Sequence, residues 1–352
     1  MTERKRDGGR ARATLKEVAK EVGVSVCTAS VVLNGSNSGS RISESTREAV
    51  VAAAQRLGYR ANRLARSLHA GRTHMIGVVP AAANTNILLG PHLQHVLNGV
   101  VNETETRGYD LSLITRCDQY NAANLLDILL DGRVDGVVVV APPLGSRLVP
   151  LLLNENLPMV VIDGDPEECN KNFMIDNNAA VKLAMRHLFD LGHRHVGHIC
   201  GPQELYAARV RKDAFFAEAK KLGVQVDLEW VQIGSFEFER GEKAMQKILK
   251  SSRLPTAVFC GNDDSAFGAM HAIESAGLSV PGDISIVGFD DVPTASYHHP
   301  PLTTIDQPVD TIARGAASAL INQIESAAPI KSEYFQGTLV QRGSSGPASV
   351  RF

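Results

Sequence analysis

Polar residues stand just past several short apolar runs: Asp163 after "PMVVI", Asn262 and Asp263 after "TAVFCG", and Asp290 after "ISIVGF". Carboxylates accept hydrogen bonds and an amide both donates and accepts, so together they suit a hydroxylated ligand. Asp and Asn at such places also cap helices, so Asn262 and Asp264, ahead of "SAFGAMHAIESAG", either meet a ligand or hold that helix. Residues able to do covalent chemistry are not arranged for it. There is no P-loop, GxGxxG or nucleophile elbow, and the histidines of "HLFDLGHRHVGH" lack a regular metal spacing. These features speak against an enzyme and imply neither a cofactor nor a metal.

The elements that must position these side chains are legible from periodicity. "HMIGVVP", "DLSLIT", "VDGVVVV" and "LPMVVID" are β-branched runs separated by segments of helical period, and the alternation restarts at "HVGHIC", "TAVFCG" and "ISIVGFD". That pattern predicts two parallel sheets, each covered on both faces, hence an α/β body of two subdomains. Ligands in open parallel sheets lie outside the carboxyl ends of the strands, so the four polar residues are expected to point into one cleft.

Charge divides the chain differently. The net charge is -2, yet up to Arg72 there are 14 Lys+Arg against 6 Asp+Glu, a net of +8, while the remaining 22 against 32 give -10. A basic head of this kind is an electrostatic footprint for phosphates, although a solvated basic tail gives part of the same signal. Five cysteines (27, 117, 169, 200, 260) without a CxxC pair suggest reduced thiols. The longest apolar runs are too short to span a membrane and "MTERKRDGGRAR" does not resemble a signal peptide, so the expected location is the cytoplasm.

Within the head, Thr14 and Glu17 have the spacing of a capping box. They open a helix that places Leu15, Val18, Ala19 and Val22 on one face and ends at Gly23. Ser25 caps a second helix with Ala29, Val32 and Leu33 facing the first, and a third after Ser43 is expected to bury Val50, Ala54 and Leu57 before Gly58. The result is an all-α helix-turn-helix head. The intervening "GSNSGSRIS" predicts a flexible excursion, and "YRANRLARSLHAGRT" reads as a linker that folds only with a partner. The expected boundaries are a basic arm at 1–12, the head at 13–60, a hinge helix or linker at 61–73 and the body at 74–352. The chain is expected to cross between subdomains near 163–178 and again near 291–308.

Taken in order, "TLKEVAKEVGVS", "VLNGS", "STREAVVAAAQRLGYR", "LARSL", "LGHRHVGHICGP", "GNDDSAFGAM", "VPGDISIVGFDD" and "PPLTTIDQP" resemble the LacI/GalR family of transcriptional regulators over nearly the whole chain. The resemblance implies a head that binds a pseudopalindromic operator in double-stranded DNA as a homodimer. It also implies a hinge helix, and a periplasmic-binding-protein-like body that senses a small ligand. Thr14, Ser25, Thr28, Ser30 and Asn34 then match positions near the phosphates, while Val26, Cys27 and Val31 match three that enter the major groove. Valine can pack on a thymine methyl and cysteine is a weak donor, so less hydrogen-bonded readout is expected than usual. Arg60, Arg63 and Arg66 in the hinge are expected to supply affinity through phosphate contact and counterion release. Leu68 matches a wedge into the minor groove, or else contacts the partner's hinge. The basic arm either adds phosphate contacts or has no role.

For the effector, the resemblance adds Arg211 as an anchor and Phe236 as a stacking ring to Asp163, Asn262 and Asp290. A ring beside carboxylates and an arginine suits a sugar or a derivative. The chain departs from the family pattern at Gly90-Pro91-His92-Leu93, where an aromatic wall is common. His92 there either donates to a ligand or faces solvent. Gly164 stands where relatives carry bulkier residues, suggesting a wider pocket, and Ala61 replaces a hinge proline, suggesting a hinge helix that forms less readily. The tail lacks leucine heptads, favouring a dimer over a tetramer. The altered wall leaves a second reading: an effector-independent regulator or architectural protein whose body serves to dimerise the heads.

Overall fold

The computed structural model describes residues 13–34, 42–59, 72–81, 90–115 and 122–349. Two compact units divide the chain, Met1–Thr73 and His74–Phe352. The basic arm, most of the Gly/Ser loop, the hinge residues Arg60, Arg63, Arg66 and Leu68, and Cys117 lie outside the described residues.

In the first unit α1 (Leu15–Val22), α2 (Val26–Asn34) and α3 (Glu44–Leu57) pack as a small bundle. Thr14 and Glu17 form both halves of the capping box, the Thr14 backbone N–H donating to Glu17 Oε2 at 2.7 Å. Gly23 and Gly58 end α1 and α3 in the left-handed conformation, at φ 73° and 64°. Val18, Ala19, Ala29, Val50, Ala53 and Ala54 form the buried centre. Leu57 does not join them. It is 37% exposed at the end of α3, and Tyr59 folds back against the cluster instead.

The second unit is a doubly covered α/β body. Its first half contains β1 (Met75–Pro80), α4 (Pro91–Thr106), β2 (Asp110–Leu113), α5 (Ala122–Leu130), β3 (Gly136–Val140), α6 (Leu148–Leu153), β4 (Met159–Ile162) and β5 (Asn172–Ile175). The second half continues with α7 (Asn177–Asp190), β6 (Val196–Cys200), α8 (Tyr206–Leu222), β7 (Val231–Ile233) and α9 (Phe238–Ile248). It is completed by β8 (Ala257–Cys260), α10 (Asp263–Ser275), β9 (Ser285–Val287) and the short α11 (Thr294–Tyr297). Then come β10 (Thr304–Asp306), α12 (Val309–Ser326), β11 (Glu333–Phe335) and β12 (Thr338–Val340).

Both large sheets are parallel, in the orders β11-β5-β4-β3-β1-β2 and β7-β6-β8-β9. Period-two alternation distributes each strand between two cores. In β3, Val138 and Val140 join one cluster while Val137 and Val139 join the other.

The chain passes between the halves three times, not twice. It crosses after β5, where α7 packs on α8, and again from β10 into α12, which packs on α4. It returns from β11, at the edge of the first sheet, to β12, which pairs antiparallel with β10. This last passage uses two three-residue strands, too short to show a period in the sequence.

Candidate effector cleft and DNA-facing helix

Strand ends from both halves enclose a cavity of about 200 Å³. His92, Leu93 and Asp163 line it from the first half; Arg211, Phe236, Asn262 and Asp290 line it from the second. Seven residues chosen from the sequence thus share one cavity, which is smaller than the roughly 300–1,000 Å³ clefts that take drug-sized molecules.

Arg211 is almost wholly buried on α8, and its guanidinium is held on three sides. Nε donates to Asn177 Oδ1 at 2.7 Å, Nη1 to the Gly261 carbonyl at 2.8 Å and Nη2 to Gln307 Oε1 at 2.9 Å. Its flat face lies 3.6 Å from the centre of the Phe289 ring. Burial lowers its pKa, against the raising fields of Asp290, Asp163 and Asp263. Three of its five N–H groups are spent on the protein, leaving two for a ligand.

His92 lines the cavity half-buried and is paired within the protein. Its Nε2 lies 3.0 Å from Asp163 Oδ2. Burial alone pushes the imidazole down, but the Asp163 hydrogen bond and charge outweigh it, so the net pKa is raised and the charged pair is favoured. Leu93, one residue on, is buried and belongs both to the cavity wall and to the first-half core. Pro91 occupies the first turn of α4, where its missing N–H costs nothing.

The carboxylates separate into two roles. Asp290 lines the cavity, and burial, partly opposed by Arg211 and His92, pushes its pKa up to about 6. Asp263, expected beside it, turns away from the cavity. It is fully buried and accepts from Thr304 Oγ1 at 2.5 Å and from the Val292 N–H at 2.9 Å, tying α10 to the crossing strands. Asn262 caps α10, accepting from the Ser265 N–H at 3.0 Å, and donates to the Phe236 carbonyl at 3.2 Å. It therefore holds the aromatic residue as well as lining the cavity.

Phe236 requires two glycines. A Cβ at Gly201 would come within 2.2 Å of its ring, and one at Gly261 within 3.2 Å. Gly164 has no such relation to the cavity: a Cβ there meets Val161 at 2.5 Å and Pro142 at 3.3 Å. The expected widening at Gly164 is thus a packing feature, braced by Asn172, which bonds both the N–H and the carbonyl of Gly164.

Backbone strain marks the same place. Of the eight non-glycine residues at positive φ among the described residues, Ala141, Asp163, Ser235, Phe236 and Asp290 line the cavity. Such conformations cost on the order of 1–3 kcal/mol each and persist where the surroundings enforce them, commonly at ligand sites. Sequence reasoning missed Ser235 and Glu237, which the strand-end rule applied to "VQIGSFE" would have reached, while Asp264, left open between ligand and helix cap, lines the cavity. It also missed apolar wall residues such as Pro80, Val140 and Leu205, because the strand-end rule was applied to polar residues alone. Beside Leu205 the Leu144 N–H donates to the Glu204 carbonyl at 2.8 Å, joining the two halves across the cleft mouth.

In the head, Ser25 Oγ accepts from the Thr28 N–H at 2.9 Å and meets Thr28 Oγ1 at 2.8 Å, so Ser25 caps α2. Val26, Cys27, Ser30, Val31 and Asn34 follow one another within a 140° arc at about 100° per residue. Ala29, Val32 and Leu33 occupy the opposite side, in the bundle core. Val26 is 42% exposed, Cys27 is exposed, and Val31 is half-buried without packing on that core. Thr14 sits at the start of α1, its hydroxyl engaged with Glu17. The outer face of α2 thus carries two valines and a cysteine.

A helix-turn-helix unit joined to a two-sheet body with a cavity between its two halves defines a ligand-responsive DNA-binding regulator. Residues 14–62 match the family model for bacterial regulatory proteins of the lacI family, and 185–345 match a periplasmic binding protein-like domain. The chain is 37% identical over 319 residues to the HTH-type transcriptional repressor PurR of Proteus mirabilis (strain HI4320), covering 89% of this chain and 90% of that protein. Among solved structures it is similar to a lac repressor dimer bound to operator and the anti-inducer ONPF, with TM-score 0.83, 26% identity and coverage of 96% and 100%. A transcriptional regulator CelR-cellobiose complex matches with TM-score 0.72, 29% identity and coverage of 95% and 100%. The chain belongs to the lacI family of bacterial regulatory proteins; it is a DNA-binding transcriptional regulator and not an enzyme.

Proposed function

We infer that the protein is a dimeric repressor that binds a pseudopalindromic operator and changes its DNA affinity when a small polar ligand enters the cleft. The observation that carries this reading is the cavity itself. Buried Arg211, the His92–Asp163 pair, Asp290 and Phe236 converge there on strained backbone. A body serving only for dimerisation has no need of such an arrangement. The CelR-cellobiose complex supports a sugar or a derivative as the ligand class. No described helix is long and apolar enough to cross a membrane, and a protein that meets chromosomal DNA works in the cytoplasm.

The mechanism follows from linkage. Opening the cleft must break the Leu144–Glu204 bond at its mouth and shift the crossing strands β10 and β12. A ligand that prefers one form moves DNA affinity by its differential binding to the two forms and no further. In the head, Ser25, Thr28, Ser30 and Asn34 position α2 on phosphates. Val26, Cys27 and Val31 face the bases, with the valines packing on thymine methyls. Arg63, Arg66 and Leu68 act from the hinge, by phosphate contact and by wedging the operator centre. Selection of bound sequences from a random DNA pool tests the reading: it predicts a two-fold-related site with thymines in each half. Recovery of sequences without dyad symmetry would overturn it.

A further inference from the structure

The charges around the cavity narrow what can fill it. This inference rests on the effector reading above and deepens it. Four carboxylates line the cavity, those of Asp163, Glu237, Asp264 and Asp290. Two cations line it, Arg211 and His92, and both are largely engaged by the protein. Arg211 donates to Asn177, Gly261 and Gln307, and His92 pairs with Asp163.

Each carboxylate has a different degree of compensation. Glu237 is offset by Arg240 at 3.0 Å. Asp290 lies in the field of Arg211 and His92. Asp264 has no ion-pair partner among the described residues, and burial followed by the charge of Glu239 raises its pKa. Asp163 Oδ1 is buried and accepts no hydrogen bond from a described residue, although its other oxygen is paired. The wall therefore presents acceptors in excess and a negative balance, while Phe236, Leu93, Pro80 and Val140 supply apolar surface.

We propose that the ligand is a donor-rich molecule without negative charge, a hydroxylated or amine-bearing ring, and that phosphorylated and carboxylated compounds are rejected. One feature of the fold opposes this. The N-termini of α4 at Gly90 and α8 at Leu205 open beside the cavity, and neither has a side-chain cap. A helix N-terminus carries about half a positive charge that fades within a turn, and in α4 its first residue, Pro91, has no N–H to offer. Against these fading partial charges stand the unpaired carboxylate of Asp264 and the buried, unpartnered Oδ1 of Asp163, since Glu237 and Asp290 are offset by Arg240 and by Arg211 with His92. At an effective dielectric of about 20, an anion within 4–5 Å of one unpaired carboxylate loses roughly 300- to 1,000-fold in affinity before screening by solvent and salt.

The test is thermal unfolding of the full chain with matched probes at equal concentration. One set is glucose, glucosamine, gluconate and glucose 6-phosphate; the others are ribose with ribose 5-phosphate and adenosine with its monophosphate. A scaffold that stabilises the protein is expected to do so as the neutral or amine form, with its phosphorylated form at least about tenfold weaker. Asp264→Asn should narrow that gap by about tenfold. A phosphorylated or carboxylated probe that binds as tightly as its parent, with its effect lost in Phe236→Ala, overturns the ligand class while leaving the cleft as the effector site. If no probe shifts the midpoint of the folded wild type, the effector reading fails and this inference falls with it.

Discussion

Replacing Arg211 by alanine should unfold the body more readily, quite apart from any loss of ligand. The guanidinium satisfies acceptors on three separate segments: Asn177 in α7, the Gly261 carbonyl after β8 and Gln307 after β10. Hydrogen bonds from a charged donor contribute about 1.5–3 kcal/mol each, but simple addition overstates the effect. Removing the cation also removes its own desolvation cost. In addition, Asp290, whose pKa already stands at about 6 because of burial, can take a proton when the Arg211 field disappears. Breaking a buried charged cluster by deleting one member costs about 3–5 kcal/mol, the figure adopted here. At about 2–4 °C per kcal/mol for a unit of this size, the melting midpoint should fall by about 10 °C. Scanning calorimetry and urea unfolding of Arg211→Ala and Arg211→Lys read this directly, with lysine recovering only part of the loss because a single ammonium cannot span three acceptors. A fall below about 2 °C for alanine would refute the assignment of Arg211 as a tie between these three segments. Alanine at this position is consequently a poor probe of ligand contact, and Phe236→Ala is the cleaner one.

Three further outcomes are expected. His198 is fully buried, stacked between Phe215 and Phe259, and burial lowers its pKa to about 4. The unfolded chain takes up this proton below about pH 6.5 while the folded chain does not until about pH 4, so stability falls as pH falls through that window. The stability of wild type relative to His198→Phe should therefore drop by about 2 kcal/mol between pH 7 and pH 5 in urea unfolding; a constant difference would contradict the burial argument. Replacing thymine by uracil opposite Val26 or Val31 should weaken operator binding about fourfold per methyl, from about 0.8 kcal/mol per buried carbon, and unchanged affinity at every thymine would remove the methyl-reading assignment. Gly201→Ala, whose Cβ would lie 2.2 Å from the Phe236 ring, should lower ligand affinity at least about tenfold by calorimetric titration, with the far-ultraviolet circular dichroism unchanged.

What the sequence made legible was mostly local. The capping box at Thr14 and Glu17, the glycine stops at Gly23 and Gly58, and the alternating valines of β3 each depend on neighbours a few residues away, and all three stand as expected. The strand-end rule also brought Asp163, Asn262 and Asp290, far apart in the chain, to one cavity, while Arg211 and Phe236 came from the family resemblance. The rule failed where two polar neighbours had to be told apart. Asp263 and Asp264 are adjacent, yet the helical turn sends the first inward to Thr304 and the second to the cavity. His92 was open between ligand and solvent because its partner, Asp163, is 71 positions away. Positive φ at Asp163, Phe236 and Asp290 is likewise invisible in residue type, since none is a glycine. Leu57 had the right spacing for the core but lies at the end of its helix.

The most direct test of the whole account measures ligand affinity twice, with and without operator, using a ligand found by the thermal panel and the DNA recovered by selection. Linkage requires operator to change ligand affinity by the same factor by which ligand changes operator affinity. The account predicts equal factors different from one, and abolition of both by Phe236→Ala at unchanged affinity of the ligand-free protein for DNA. Tight ligand binding that leaves operator affinity untouched would contradict it, because the cleft would then bind without regulating.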